Sequence, residues 1–175
     1  EGVYLVTPDG RRILDAAGGA IVANIGYGRA EVAEVAARVL TEVTYIIPPW
    51  ANEHRSRLVE RLVANWLPKG MTRALFVSGG SESVEAGVRL ARQHHVAAGR
   101  DTRWKMIHTD MSYHGVSLGA LSVGNHVGRR KGLDPLLVDH PTIPAPYSLE
   151  AGLGRLDPDP RLTAPDALEE VILRE

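Results

Sequence analysis

Cysteine is absent from the 175-residue sequence, which excludes disulfide bonds and thiolate chemistry. A chain without cysteine fits a reducing compartment, and we expect a cytoplasmic protein. Long apolar runs are also absent, so no segment is predicted to span a membrane. The formal net charge is -1 and there is no basic stripe, which argues against nucleic acid as the main partner, because phosphate-backbone binding needs clustered Lys and Arg.

Several functional motifs are missing as well. The sequence has no GxxxxGK[ST] motif and no GxGxxG after a predicted strand, which argues against a nucleotide ligand, and it lacks the GxSxG elbow of serine hydrolases. The neighbours His94 and His95 diverge on a helix and cannot both face one metal. His108, His126 and His140 have no carboxylate or second histidine at ligand-like spacing, so we expect no metal site. What remains is a chain with 44% hydrophobic residues that is long enough to bury a core.

Short apolar runs alternate with amphipathic stretches, and this order predicts an α/β fold with a mainly parallel sheet flanked by helices. An Asp-Gly turn between the first two runs predicts a hairpin. The predicted strands are Tyr4–Val6, Arg12–Leu14, Ala74–Val77 and Trp104–Thr109, and the predicted helices are Ala30–Glu42, one capped by Asn52, Ser81–Ala98, and one opening at Thr163. The basic run Arg129–Lys131 is predicted to be a solvated loop, and residues 134–165 a long irregular connection.

The stretch FVSGGSES, residues 76–83, lies where a predicted strand ends and a helix begins. The first N–H groups of a helix have no partner within it and lie at the positive end of its dipole, so this turn suits an anion such as phosphate. Gly80 lets an anion approach without a Cβ in the way, and Ser81 offers an N–H and a hydroxyl. Glycine and serine also occur in turns that bind nothing, so the turn alone does not decide.

The loop Tyr113-His114-Gly115 follows the next predicted strand. Carboxyl ends of parallel strands meet at one edge of a sheet, so this loop and the glycine turn can share one crevice. An aromatic ring on such a loop can stack on a flat ligand, and Gly115 frees the backbone to turn. The alternative for Tyr113 is a half-buried side chain with its hydroxyl in water.

Together with the sequence around them, these motifs resemble the pyridoxal-phosphate-dependent class III aminotransferases, also called the omega-aminotransferase or ornithine/GABA aminotransferase family. The family pattern is a [SG]-G-[ST]-E-A turn opening a helix that ends in Ala-Arg, followed by a Tyr-His-Gly loop. Here GGSES opens the helix and Ala91-Arg92 ends the match. The upstream segment ILDAAGGAIVANIGYGRAEVAEVAARVL is similar to the family too, although Tyr27 and Arg29 stand where His is common and Ser83 where Ala is usual.

The resemblance implies pyridoxal 5'-phosphate as the cofactor. It implies that Gly80 and Ser81 bind the cofactor phosphate, that Tyr113 stacks on the pyridine ring, and that His114 and Gly115 shape the loop. Glu82 resembles an acidic residue near the cofactor, where a carboxylate favoured by the helix dipole is the alternative. The substrate-pocket residues implied in the same way are Gly19, Ala20, Ile21, Ile47 and Trp50.

The implied fold is the large domain of the fold type I, aspartate aminotransferase-like transferases, here incomplete. Residues 1–45 are predicted to be an N-terminal segment that belongs to the small domain in the parent. Residues 46–175 are predicted to be a partial cofactor-binding large domain, truncated at the C-terminus. The resemblance also implies a homodimer in the full-length protein, acting on small-molecule amines or amino acids and keto acids.

A transaminase needs a lysine that forms a Schiff base with the cofactor, and a carboxylate that keeps the pyridine nitrogen protonated. In the family both lie downstream of the Tyr-His-Gly loop. The lysines here are Lys69, Lys105 and Lys131, and none has a matching context. We therefore predict an N-terminal fragment that is inactive alone. The alternatives for the parent are a decarboxylase or racemase of the same family, or a non-catalytic module that binds the cofactor or another phosphate ligand.

Overall fold

The computed structural model describes residues 2–145 and 164–175. The chain divides into two compact units, Glu1–Arg73 and Ala74–Glu175. The predicted division between residues 45 and 46 concerns the domains of a larger parent and stays a prediction.

The first unit begins with the predicted hairpin, which is confirmed. Strands β1 (Tyr4–Val6) and β2 (Arg12–Leu14) pair in antiparallel fashion. The Gly10 N–H donates to the Thr7 carbonyl at 2.9 Å and closes the turn. Gly10 has a φ of +83°, a conformation that glycine adopts without steric cost, so the Asp-Gly pair fixes the turn and with it the strand register.

The small-residue segment after the hairpin forms one short turn, α1 (Gly18–Ile21), with left-handed backbone inside it. Ile21 has a φ of +72°, which is unfavourable for a β-branched residue. The Asp15 carboxylate holds this turn, because it accepts the Gly19 N–H at 2.6 Å and the Tyr27 hydroxyl at 2.6 Å. The Ala17 N–H also donates to this carboxylate, at 3.2 Å, so three donors on one half-buried side chain fix the strained backbone.

Two amphipathic helices complete the first unit, and both are confirmed. Helix α2 (Ala30–Glu42) has the predicted bounds, and helix α3 (Glu53–Asn65) follows Asn52. The Asn52 side-chain oxygen accepts the Arg55 N–H at 2.9 Å, which is the predicted N-cap. Neither helix buries a residue within the described part of the chain, so the apolar faces of both are open there.

The second unit begins with helix α4 (Gly80–Ala97), which confirms the helix predicted after the glycine turn. Its other elements, in chain order, are β3 (His108–Thr109), α5 (Leu118–Ser122), α6 (Val127–Arg130), a 3₁₀ turn (Asp134–Leu136), β4 (Thr142–Ile143) and α7 (Ala164–Arg174). Strands β3 and β4 pair in parallel, as an α/β fold requires. Helix α7 packs on β4, where Ile143, Ala167 and Val171 form a buried cluster.

Two predicted strands differ from the structure. Residues Ala74–Val77 form no strand within the described residues, and the strand predicted over Trp104–Thr109 shortens to β3. A strand exists only where a neighbour exchanges backbone hydrogen bonds with it. The described chain gives β3 a partner in β4, whereas it gives residues 74–77 none, and Phe76 stays 41% exposed.

The predicted solvated loop at Arg129–Lys131 is wrong in part, because Arg129 and Arg130 end helix α6. Arg130 also donates to the Gly124 carbonyl at 2.8 Å, which ties it to the protein. The cap predicted at Thr163 and much of the irregular connection lie outside the described residues. Among the residues that are described, no helix is both long and apolar enough to cross a membrane.

We expect Tyr27→Phe to loosen the strained turn. The Tyr27 hydroxyl lowers the pKa of the Asp15 carboxyl, and the carboxylate raises the pKa of Tyr27. A lowered pKa stabilises the fold at pH values above the ordinary pKa of the carboxyl, and this stabilisation is lost as the pH falls through the lowered value. In Tyr27→Phe the pKa of Asp15 should rise towards its ordinary value, measured by an NMR titration of the carboxyl carbon.

The control is Tyr45→Phe. Tyr45 is 74% exposed and its hydroxyl makes no hydrogen bond within the described residues, so this change should leave the titration of Asp15 unaltered. An unchanged pKa of Asp15 in Tyr27→Phe would show that the hydroxyl does not hold the carboxylate.

Candidate functional site

The start of α4 is an open helix N-terminus. The preceding residue, Gly79, is extended and provides no side-chain cap, so the first N–H groups of the helix, from Gly80 onward, have no acceptor inside it. A Cβ built on Gly79 or Gly80 would meet no atom within 4 Å, so the space beside the turn is free of described protein atoms. Unpartnered N–H groups at the positive end of an 18-residue helix suit an anion.

A hydrogen bond joins this turn to the loop that follows β3. The Ser81 Oγ accepts the Val116 N–H at 3.0 Å. Gly115 is buried and has a φ of +132°, and a Cβ there would lie 2.9 Å from the Ser81 Cα, so only glycine fits. The turn and the loop therefore meet, which is the arrangement expected of two loops at one edge of a sheet.

The other end of the same loop is fixed by polar contacts. The Ser112 Oγ donates to the Thr109 carbonyl at 2.6 Å, and the Asn125 N–H donates to the Ser112 carbonyl at 3.1 Å. The Asn125 side chain in turn donates to Asp110 at 2.7 Å. Tyr113 thus lies between two anchored ends, so the backbone positions its ring although the ring itself is exposed.

The Tyr113 ring is 55% exposed. The His126 ring meets it edge-on at 6.0 Å between centroids, and the Arg129 guanidinium lies 6.0 Å from its centroid. His114 packs towards Gly124, because a Cβ on that glycine would lie 3.4 Å from the His114 Cδ2. The loop therefore presents one aromatic ring with part of its surface open, while His114 lies beside Gly124 and stays exposed.

Glu82 makes a contact within the turn. Its carboxylate accepts the Ser78 N–H at 2.7 Å, one residue before the N-cap Gly79. This contact fixes the path of the chain into α4 and agrees with the alternative of a first-turn carboxylate. A role of Glu82 beside the cofactor stays a prediction.

The predicted substrate-pocket residues lie in the first unit. Gly19, Ala20 and Ile21 form the left-handed part of α1, and the Ile21 side chain is 79% exposed. Ile47 and Trp50 lie between α2 and α3, and Trp50 is 65% exposed. The structure brings the turn of α4 and the Tyr113 loop together in the second unit, and the assignment of these five residues to a pocket stays a prediction.

A buried histidine lies in β3, the strand that precedes the Tyr113 loop. His108 of β3 is 6% exposed, its Nε2 lies 3.3 Å from the Thr142 Oγ1, and its Nδ1 has no partner among the described residues. Burial lowers the pKa of His108, so the ring is neutral near pH 7.

Three residues that hold the Tyr113 loop were not predicted from the sequence. The Glu85 carboxylate accepts the Ser117 hydroxyl at 2.7 Å, and Asn125 anchors the loop as described. Ser117 could have been recognised in the sequence, because serine is a preferred N-cap residue. In the structure it is the N-cap of α5 and accepts the Ala120 N–H at 3.4 Å. Nothing in the sequence distinguished Glu85 from an exposed helix carboxylate.

Comparison with known proteins gives consistent matches. The family model described as Aminotransferase class-III matches residues 1–171. The "Uncharacterized aminotransferase YhxA" of Bacillus subtilis is 39% identical over 136 residues, which is 78% of this chain and 30% of that protein. The "Omega-aminotransferase" of Caulobacter vibrioides is 34% identical over 147 residues, which is 80% of this chain and 32% of that protein. The chain thus spans about a third of the length of these relatives.

Solved structures of transaminases also match this chain. An (S)-enantioselective omega-transaminase from Thermomicrobium roseum superposes with a TM-score of 0.86 at 31% identity, over 99% of this chain and 39% of that one. A transaminase from the marine bacterium Virgibacillus gives a TM-score of 0.85 at 26% identity, over 99% of this chain and 37% of that one. The predicted fold type I architecture is confirmed, and the helices and small parallel sheet of the second unit are consistent with an incomplete large domain. The chain belongs to the class III aminotransferase family.

Proposed function

We propose that the protein carrying this chain transfers an amino group from an amine or amino acid to a keto acid, with pyridoxal 5'-phosphate as cofactor. Family membership supports the reaction class. The observation that carries the proposal is the hydrogen bond from the Val116 N–H to the Ser81 Oγ, which holds an anion-suited turn against an aromatic loop. Those are the two surfaces that a phosphate attached to a flat ring requires.

The phosphate is assigned to the turn. The N–H groups of Gly80 and Ser81 lie at the positive end of α4, and a Cβ on Gly79 or Gly80 would meet no described atom within 4 Å, which leaves room for an anion beside the turn. The Ser81 Oγ already accepts a hydrogen bond, so its own proton is free to donate to a phosphate oxygen. Charge-assisted bonds of this kind are the strong ones, which makes the turn the main anchor.

The ring is assigned to Tyr113. Its exposed aromatic face offers a stacking surface, while Gly115 and His114 shape the loop that carries it. When bound, pyridoxal phosphate supplies a conjugated ring that accepts the electron pair released when a bond to the amine-bearing carbon breaks. The part of the chain described here binds and orients; it does not move a proton at the reacting carbon.

The lysine that the chemistry requires is not assigned to this chain. Lys105 forms an ion pair with Glu175, Lys69 follows α3 in a turn, and Lys131 caps α6. None of the three lies beside the glycine turn in chain order or on the Tyr113 loop. We infer that the reactive lysine belongs to a part of the protein outside these 175 residues, and that this chain alone does not transaminate.

The first unit is assigned to the substrate. We propose that Gly19, Ala20 and Ile21, with Ile47 and Trp50, line the pocket for the amine, in a homodimer of the full-length protein. The strained and exposed Ile21 supports this, because residues held in unfavourable backbone conformations concentrate at functional sites. Its apolar side chain favours a substrate with an apolar part.

The test is an assay of the full-length protein with an amine donor, a keto acid and added cofactor. Amino transfer, together with covalent retention of the cofactor after borohydride reduction, supports the proposal. Loss of carbon dioxide or racemisation without transfer would instead identify a decarboxylase or racemase. Cofactor retained without covalent attachment would identify a binding module.

Ser81→Ala should weaken cofactor binding by about tenfold, because it removes a hydrogen bond to a charged group. The measurement is the dissociation constant of pyridoxal phosphate in the full-length protein, obtained by titrating the apo form. The matched control is Ser83→Ala, two residues along the same turn, whose exposed hydroxyl makes no contact within the described residues. Equal constants for Ser81→Ala and the wild type would refute the phosphate assignment.

Replacing Lys69, Lys105 and Lys131 together by arginine should leave transamination intact in the full-length protein. Arginine keeps each positive charge and the pairing of residue 105 with Glu175, but it cannot attach covalently to an aldehyde as lysine does. The measurement is kcat and the borohydride-trapped cofactor per subunit. Loss of trapped cofactor in the triple variant would place the reactive lysine in this chain.

A further inference from the structure

A second hydrogen bond joins α4 to the segment that follows the Tyr113 loop. Glu85 lies four residues after Ser81, so the two side chains project from the same side of the helix. The Glu85 Oε1 accepts the Ser117 Oγ–H at 2.7 Å. Two side chains one turn apart on α4 therefore hold two consecutive residues, Val116 and Ser117.

The packing at this contact leaves no room for a larger residue. A Cβ built on Gly119 would lie 2.6 Å from the Glu85 Cδ, so the carboxylate occupies the space that a side chain would take. Gly119 lies within α5, and its φ is not left-handed. Glycine is therefore required there by the lack of space for a Cβ and not by the backbone conformation. The close approach of α5 to α4 thus depends on the pairing of Gly119 with Glu85.

Ser117 also caps a helix, and this contact depends on the orientation of its hydroxyl group. It is the N-cap of α5, and its Oγ accepts the Ala120 N–H at 3.4 Å. Donation to Glu85 leaves the hydroxyl oxygen directed at the helix, so one side chain links α4 to the start of α5. The carboxylate consequently fixes both the position and the cap of the helix that ends the Tyr113 loop.

We propose that Glu85 is a positioning residue for the cofactor ring, acting through Ser117 on the loop that carries Tyr113. The contacts between Ser112 and Asn125 anchor the far end of the loop. At the near end the Glu85–Ser117 hydrogen bond adds a second contact, one helical turn beyond the Ser81–Val116 bond, and the two contacts together fix the loop against α4. Within the described residues, the Glu85 side chain makes its hydrogen bond to Ser117 and none to the glycine turn or to Tyr113. The inference rests on the proposed function, because it concerns the geometry of the pyridoxal phosphate site.

Glu85→Ala should weaken binding of pyridoxal phosphate by about tenfold in the full-length protein and reduce the circular dichroism that the bound cofactor shows. Induced dichroism reports how rigidly the ring is held. The matched control is Gln93→Ala, an exposed residue of the same helix whose side chain makes no contact within the described residues. This control should bind the cofactor as the wild type does.

Two conservative variants distinguish the effect of side-chain length at position 85 from the effect of its charge. Glu85→Gln loses the charge but keeps an oxygen at the same distance to accept the Ser117 hydroxyl, so it should retain the dichroism and near wild-type affinity. Glu85→Asp keeps the charge but is one methylene shorter, so it should lose both. The reverse order would show that charge and not position is what matters.

Gly119→Ala tests the same contact without altering Glu85. Alanine is favoured in a helix, and the clash is with the far end of a flexible side chain, so the variant should fold while its Glu85 carboxylate is displaced. We expect about the same loss of affinity as in Glu85→Ala, and no further loss when the two changes are combined. Additive losses would contradict the proposed route through Glu85.

The outcomes separate this inference from the proposed function. If the wild-type protein binds no pyridoxal phosphate, the proposed function fails and the inference with it. If the wild type binds the cofactor but Glu85→Ala and Gly119→Ala bind it equally well with unchanged dichroism, the positioning role alone is refuted. If their apo forms unfold at a much lower temperature while affinity is kept, Glu85 is a structural residue only.

Discussion

The hydrogen bond from the Val116 N–H to the Ser81 Oγ is the contact on which the site depends. Ser81 belongs to the first turn of α4, and Val116 follows the loop that carries Tyr113. Without this bond, a helix N-terminus and an exposed tyrosine would be two unrelated surface features. With it, the unpartnered N–H groups and the aromatic ring hold a fixed relation to one another, which is what a ligand with an anionic end and a flat end needs.

The close approach at this contact is possible because of glycine. Gly115 has a φ that other residues rarely adopt and touches Ser81 directly, and Gly119 leaves the space that the Glu85 carboxylate fills. Gly79 and Gly80 differ from both, because a Cβ on either would meet no described atom within 4 Å. Two glycines therefore let the protein pack against itself, whereas the other two leave the space beside the turn free of described protein atoms.

The sequence predicted the local elements well because their causes are local. The Asp-Gly turn specified the hairpin, the Asn52 cap specified the start of α3, and the glycine turn specified the start of α4. The strand predicted at Ala74–Val77 could not be decided locally, because a strand requires hydrogen-bonding neighbours that the described residues do not supply.

Contacts distant in sequence explain the rest of what was missed. The two residues joined by the Glu85–Ser117 hydrogen bond are 32 positions apart, and those joined by the Tyr27–Asp15 bond are 12 apart. No periodicity or spacing rule connects such pairs, because the fold alone brings them together. The Tyr-His-Gly and Gly-Gly-Ser motifs were recognisable only through resemblance to a family, since each is too short to specify a function by itself.

The most direct test of the account is a crystal structure of the full-length protein grown with pyridoxal phosphate. We expect phosphate oxygens within hydrogen-bonding distance of the Gly80 and Ser81 nitrogens and the Ser81 Oγ, with the pyridine ring stacked on Tyr113. A phosphate bound elsewhere, or a ring that does not contact Tyr113, would contradict it.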